Sequence, residues 1–289
     1  MLAHDHRQGL EATLITWITV VVLALIFSPI IVVMLMSFTA GTTLQFPPPG
    51  FSLQWYAEVW RSATGEVSSF ARLTESFRVS ATIAALAATI CVLAGVPASY
   101  ALVRYRFSGR AAVEELLGLP VVFPSVVLGI ACLILVSASN LRLGVWQIVI
   151  PHAIIFLPFM MRNCTTALRE VDPALEEAAR TLGASPLRTF VEIVLPLMRG
   201  GIVSGVLLVF ILSFNEFTLS YFLHSVDVFP LPILLFQESY TSFSPAIFAV
   251  SSLAILLNVA IILIVDAIWG GSVGSPRKLA QDKEPGSNG

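Results

Sequence analysis

Residues 79–103 read VSATIAALAATICVLAGVPASYALV, a run of 25 without Asp, Glu, Lys, Arg or His. At 1.5 Å of rise per residue, a helix crosses a hydrocarbon core of about 30 Å in about 20 apolar residues, with its backbone polar groups satisfied internally. The run therefore predicts a transmembrane helix. Residues 14–36, 116–138, 145–161, 200–223 and 246–269 have the same character, although 145–161 is short and carries His152. The stretch 14–36 is too long for the apolar part of a secretion signal and has no small-residue cleavage site after it, so it reads as a retained span.

The composition agrees. Of 289 residues 56% are hydrophobic and only 12% charged, with a mean hydropathy of +0.87. Soluble domains carry about 25% charged residues. A soluble enzyme, a disordered chain and a nucleic-acid binder with a basic surface are all excluded. The predicted fold class is all-α, a polytopic membrane protein with six transmembrane helices.

Basic residues orient the spans. With a cytoplasmic N-terminus, the inner segments hold Arg7, Arg104, Arg106, Arg110, Arg162, Arg169, Arg180, Arg188, Arg199, Arg277, Lys278 and Lys283. The outer segments hold only Arg61, Arg72, Arg78 and Arg142. Twelve against four predicts both termini in the cytoplasm. The expected organisation is a cytoplasmic N-terminus (1–13), a first span (14–38), an external loop (39–77), a five-helix core (78–269) containing a cytoplasmic loop at 163–199, and a disordered tail (270–289). In the external loop, Pro47, Pro48, Pro49 and Gly50 stop regular structure, and Trp55, Tyr56 and Trp60 follow. Those aromatics read equally as an interfacial belt or as a docking surface.

The loop at 163–199 is the most polar region, with ten charged residues between Arg162 and Arg199. Asp172 before Pro173 is a helix N-cap with proline at the first helical position, and Glu176 and Glu177 then sit near the positive end of the helix dipole. Leu175, Ala178, Ala179 and Leu182 share one narrow apolar face, whereas Glu176 and Arg180 form an i,i+4 pair on another. Gly183 ends this helix. Ser185-Pro186 starts a second one, which ends at Leu195-Pro196. The spacing thus predicts a helix-turn-helix whose apolar face packs on its own protein or is presented to a partner.

Glu177-Ala178-Ala179, then Gly183, then Ile193-x-Leu195-Pro196 resembles the EAA motif of ABC-importer permeases of the binding-protein-dependent type, with every fixed position at the family's spacing. The resemblance spans about residues 70–270. Phe51 to Tyr56, Ser213 to Thr218 and Leu231-Pro232 are similar to the spermidine/putrescine permease group, which also serves aminophosphonates and other small solutes. His224 to Pro230 departs from that group's short turn. The resemblance implies the type I ABC-importer permease fold, with the loop between helices 4 and 5 acting as coupling helices. Glu177, Ala178, Ala179, Gly183, Ile193, Leu195 and Pro196 would then be the ATPase-coupling residues. It also implies two copies of an ATPase subunit, a second permease chain and an external solute-binding protein, in a bacterial inner membrane. This chain would bind no cofactor, ATP and Mg residing on the ATPase, and no nucleic acid.

Polar residues inside apolar runs mark the candidate pathway: Asn215, Glu216 and Asn258. In a continuous helix Glu216 lies about 10 Å from the outer end of its span. A carboxylate at that depth costs about 2–3 kcal/mol and must face protein or water. It is read either as a cation-attracting group or as a hydrogen-bond partner for Asn215 or a neighbouring helix. Asn258 reads as an interhelical hydrogen bond, Gly201-x-x-x-Gly205 as a close helix contact, and Pro97, Pro120, Pro124 and Pro158 as kinks or ends.

Chemistry of other kinds finds no support. Cys91, Cys132 and Cys164 lack paired spacing, the terminal His4 and His6 read as decoration, and His152 as a satisfied polar residue. A phosphate-binding P-loop needs a lysine, and the two lysines, Lys278 and Lys283, both lie in the tail. A stand-alone secondary transporter or channel is the alternative, and would show inverted repeats and mid-membrane ion sites. A membrane-embedded enzyme would need a clustered His, Asp or Glu set. Neither pattern occurs.

Overall fold

The computed structural model describes residues 2–65, 72–139, 141, 143–241 and 244–273, with side chains between residues 13 and 267 of those segments. The side chains of His4 and His6, and the tail beyond residue 273, lie outside the described residues. In chain order the helices are α1 (Leu2–Ser37), α2 (Gln54–Ala63), α3 (Leu73–Arg104), α4 (Arg110–Val122), α5 (Ser125–Ser139), α6 (Trp146–Glu170) and α7 (Pro173–Thr181). There follow α8 (Pro186–Thr189), a π-helical turn (Phe190–Val194), α9 (Leu195–Leu197), α10 (Arg199–Phe214), α11 (Thr218–Leu223), α12 (Leu231–Thr241) and α13 (Ala246–Val273). Among the described residues the only β pairing is an isolated bridge, Thr39 to Phe51.

Among the described residues four helices, α1, α3, α6 and α13, are long and apolar enough to cross a membrane unbroken, and the number is up to six if each of two bent pairs counts as one span. The predicted third span is α4 plus α5, bent by 97°. Its cause is Pro124: the proline drives Phe123 out of the helical region, to φ −75° and ψ 139°. Pro97, Pro120 and Pro158 stay inside their helices. The predicted fifth span also departs from a single helix. The helical run from Pro186 meets α10 at 72°, and α10 ends at Phe214. The fourth span is longer than 145–161, because α6 continues through Arg162 and Arg169 to Glu170.

Two compact units emerge from the contacts, one of Met1–Leu73 and Leu235–Leu256, the other of Thr74–Leu234 and Leu257–Gly289. In the first, Tyr56 of α2 bonds the hydroxyls of Ser37 (2.7 Å) and Ser252 (2.9 Å), so it is a cross-link; Trp60 is exposed. Of the described side chains of α1, none before Met36 is buried; Met36 and Ser37 are.

The second unit is built on α3, α6 and α10. Ala87, Ala88, Cys91, Val96 and Tyr100 of α3 pack against Ala153, Phe156, Met160, Cys164 and Leu168 of α6, with Val194, Met198 and Val209 closing the core. Small residues allow backbone-level approach: the Ser99 hydroxyl donates to the Met161 carbonyl across 3.2 Å. The expected close contact at Gly201 is made with α6, where an added Cβ would sit within 3.0 Å of Ala167 and the Asn163 carbonyl.

Candidate functional site

The polar loop leaves α6 at Val171, whose ψ of 118° ends the helix. Asp172 then caps α7, its carboxylate accepting the Ala174 N–H at 2.9 Å with Pro173 in the first turn. At the other end the Gly183 N–H donates to the Arg180 carbonyl and the Ala184 N–H to the Ala179 carbonyl, both at 3.0 Å. This is a Schellman closure, and it puts Gly183 at φ +90°, where a side chain is strained. Nothing lies within 4 Å of a Cβ placed there, so backbone conformation, not crowding, demands the glycine. Ser185 caps α8 through the Arg188 N–H (3.3 Å).

The helical run then widens into the π turn, in which the Leu195 N–H donates to the Phe190 carbonyl. Pro196 follows directly. It has no N–H to offer the Glu192 carbonyl, and its ring would collide with that carbonyl in a regular α-turn; the wider turn relieves both.

What holds the loop is Glu176, only 3% exposed. Its carboxylate accepts the Tyr100 hydroxyl (2.7 Å) and the Arg104 Nε–H (2.7 Å). Arg104 also donates through Nη2 to the carbonyls of Val171 (2.7 Å) and Leu168 (3.3 Å). The Tyr100 ring lies 4.8 Å from that of Phe190. One residue pair at the end of α3 thus ties down the end of α6, α7 and the π turn together. The expected Glu176–Arg180 pair is the weaker contact, at 3.8 Å with Arg180 half exposed.

This latch turns a polar face inward and most of the apolar face outward. Glu176 and Ala179 are buried, whereas Leu175, Ala178 and Leu182 are exposed, Leu182 by 89%. Leu187, Val191 and Leu197 of the second helical run are exposed as well. Of the other motif residues, Glu177 and Pro196 face outward and Ile193 and Leu195 are half-buried. Tyr100 and Arg104 were not legible as site residues. The available signal was a tyrosine four residues before the first charge closing an apolar run, which does not name a carboxylate 72 residues away.

The membrane polar residues have a different surrounding from the one expected. The helix carrying Asn215 and Glu216 is not continuous: Asn215, at φ −97° and ψ 2°, terminates α10. The Ile211 carbonyl receives both the Asn215 backbone N–H (3.2 Å) and its side-chain amide (2.8 Å). Glu216 is therefore in the break, half-buried, and its Oε1 accepts the Leu219 N–H at 2.9 Å, capping α11. Asn215 and Asn258 approach to 3.5 Å. His152 is satisfied as expected, by the hydroxyls of Ser213 (2.8 Å) and Ser220 (3.4 Å). Among the described residues no group of three His, Cys, Asp or Glu side chains could hold a metal.

Comparison with known proteins bears on this arrangement. Residues 91–269 match the family described as binding-protein-dependent transport system inner membrane component. The chain is 31% identical over 248 residues to the spermidine/putrescine transport system permease protein PotC of Haemophilus influenzae, covering 86% of this chain and 93% of that one. It is 31% identical over 199 residues to the molybdate/tungstate transport system permease protein WtpB of Methanocaldococcus jannaschii, covering 65% and 78%. The fold is that of a chain in the crystal structure of a bacterial ABC transporter involved in alginate import, with TM-score 0.66, 18% identity, and coverage of 92% and 97%. The likeness to that structure shows the fold, and the family match over residues 91–269 together with the relative at 31% identity shows the family: the chain belongs to the binding-protein-dependent transport system inner membrane components.

Proposed function

We propose that this chain is one permease subunit of an ATP-driven importer, paired with a second permease and served by two ATPase subunits and an external binding protein. On this reading both termini are cytoplasmic, as the distribution of Arg and Lys supports. The loop at 163–199 bears on the ATPase, and ATP-driven closure of that partner moves α3 and α6 through the Glu176 latch. The observation that carries the proposal is the exposed row of Leu175, Leu182, Leu187 and Val191 on helices anchored from behind. An apolar patch outside the membrane, rigidly held, marks a docking surface. Glu177, Ala178 and Gly183 supply its edge and turn, Ala179 is the small buried residue that lets α7 sit close to the chain behind it, and Ile193, Leu195 and Pro196 belong to its second helix.

The proposed solute is a polyamine such as spermidine or putrescine. The relative named for these solutes supports it by its coverage of nearly the whole chain. The relative named for molybdate and tungstate is as identical over less of it, so an oxyanion is the reading to test against. Asn215, Glu216 and Asn258 are the proposed pathway residues.

The docking reading is tested with Leu182→Arg combined with Leu187→Arg. Both side chains are exposed, so the variant inserts and folds but no longer retains the ATPase on purification. Retention at the wild-type level would remove this surface from the coupling. The solute is tested by uptake into vesicles containing the complete importer, with labelled spermidine, an aminophosphonate and molybdate as alternatives.

A further inference from the structure

Between the end of α3, the start of α4 and the last turns of α6 lies a cavity of about 400 Å³. Three arginines line it: Arg110 in the first turn of α4, and Arg162 and Arg169 on α6. One carboxylate, Glu114, lines it too, which leaves two net positive charges. Among the described residues none of the three guanidinium groups makes a hydrogen bond or ion pair. Thr165 and Thr166 share the wall, the Thr166 hydroxyl donating to the Arg162 carbonyl at 3.0 Å, and the remainder is apolar, with Leu102, Pro158 and Met161.

Three unpaired guanidiniums around one cavity repel each other and lose little by meeting an anion, and each offers a planar fork that fits phosphate oxygens. The cavity's position narrows the anion. Arg104 bonds the carbonyls at the end of α6, so the ends of α3 and α6 meet where the polar loop begins. The cavity therefore lies at the level where spanning helices give way to loop, with charged and apolar side chains in one lining. Beyond it the outer side of α4 exposes Val113, Leu116 and Leu119. A soluble anion has no use for the apolar part of that lining. A phospholipid does, with its phosphate among the arginines and its chains over Pro158 and Met161.

We propose that this cavity binds the phosphate headgroup of an anionic phospholipid of the leaflet facing the motif loop. The bound lipid fills the space between α4 and α6 beside the latch, and completes a wall that the chain alone leaves open. The proposal rests on the transport reading only for which leaflet supplies the lipid; binding is read out without transport.

The test uses the complete importer in detergent, titrated with phosphatidylglycerol or phosphatidylcholine and weighed by native mass spectrometry. Phosphatidylglycerol is expected to stay bound to the intact complex where phosphatidylcholine is lost. Arg162→Ala with Arg169→Ala weakens its retention by about thirtyfold, the loss of two near-surface charges. Arg162→Lys with Arg169→Lys keeps most of it, and Arg61→Ala, in the other unit, changes nothing. Both targeted arginines are exposed, so the double variants assemble. Equal retention of both lipids, or full retention by the double alanine variant, overturns the proposal. Displacement of the lipid by millimolar inorganic phosphate assigns the site to a soluble anion and overturns it too.

Discussion

Two segments of this chain each carry a carboxylate that a mostly apolar protein must accommodate, and they do so differently. In the motif loop Glu176 is pulled inward onto Tyr100 and Arg104, and the helix it belongs to is turned by that attachment. In the break after α10 Glu216 is spent on its own backbone, capping the short α11. The first carboxylate links α7 to the end of α3, 72 and 76 residues away in sequence. The second makes a contact three residues long. A charge within an apolar chain is therefore no uniform sign of function; what matters is how far away its partner lies.

The largest effect expected is at the latch. Glu176→Ala leaves the Arg104 guanidinium part-buried without its carboxylate and the Tyr100 hydroxyl without an acceptor, at a cost of about 3 kcal/mol. The thermal midpoint of the purified complex should fall, and ATP-driven uptake with it by more than tenfold. Replacing both partners, Glu176→Leu with Arg104→Met, should regain part of the midpoint, because no uncompensated charge remains while the Tyr100 hydroxyl and the Leu168 and Val171 carbonyls still lose their partners. Glu177→Ala is the contrast: Glu177 is exposed, so the midpoint stays while uptake falls. If Glu176→Ala and Glu177→Ala behave alike in both measurements, the latch is not what holds the loop.

A second experiment separates backbone from contact at Gly183. At φ +90° an alanine costs about 1–2 kcal/mol, whereas asparagine tolerates the left-handed region better. The expected order of uptake is glycine, then Gly183→Asn, then Gly183→Ala. If the glycine is instead required because a partner subunit packs against it, the larger asparagine is worse than alanine. The order of two substitutions thus decides between two physical reasons for one residue.

The same contrast explains what could be read without coordinates. Caps, proline positions and the Gly183 stop are local devices, complete within four or five residues, and each was legible. So were the apolar runs, because crossing a membrane is a demand on composition and length. The face of α7 was not legible. Leu175, Ala178, Ala179 and Leu182 lie on one side by periodicity, but the side turned inward is set by where the polar ends of α3 fall, which is tertiary information. The break at Asn215 was hidden for a related reason: it uses neither Gly nor Pro, only an amide competing for the Ile211 carbonyl. The bend at Pro124 lay between: its position was readable, its 97° was not.

On the other side of the comparison the effects are smaller. Ser213→Ala removes the 2.8 Å partner of the buried His152 ring, leaving only Ser220 at 3.4 Å. A buried polar group losing one of two hydrogen bonds costs about 1–2 kcal/mol. The importer's thermal midpoint should fall by less than for Glu176→Ala. A midpoint equal to wild type would mean that Ser220 alone satisfies the ring.

The smallest effect expected is at Glu216, and it bears most directly on the proposed pathway. As a cap, Glu216 needs an oxygen at the Leu219 N–H and no charge. Glu216→Gln keeps the oxygen, so the midpoint should be unchanged, and Glu216→Ala should lower stability by about 1 kcal/mol, as for other lost caps. If capping is its whole task, spermidine uptake follows stability: glutamine stays within about twofold of wild type, and alanine is the poorer variant. If the carboxylate also draws a cation into the break beside Asn215 and Asn258, the order reverses for glutamine alone. Uptake of spermidine then drops with no loss of stability, while that of an uncharged or anionic solute is spared. Charge and cap are the two properties of one side chain, and glutamine removes only the first.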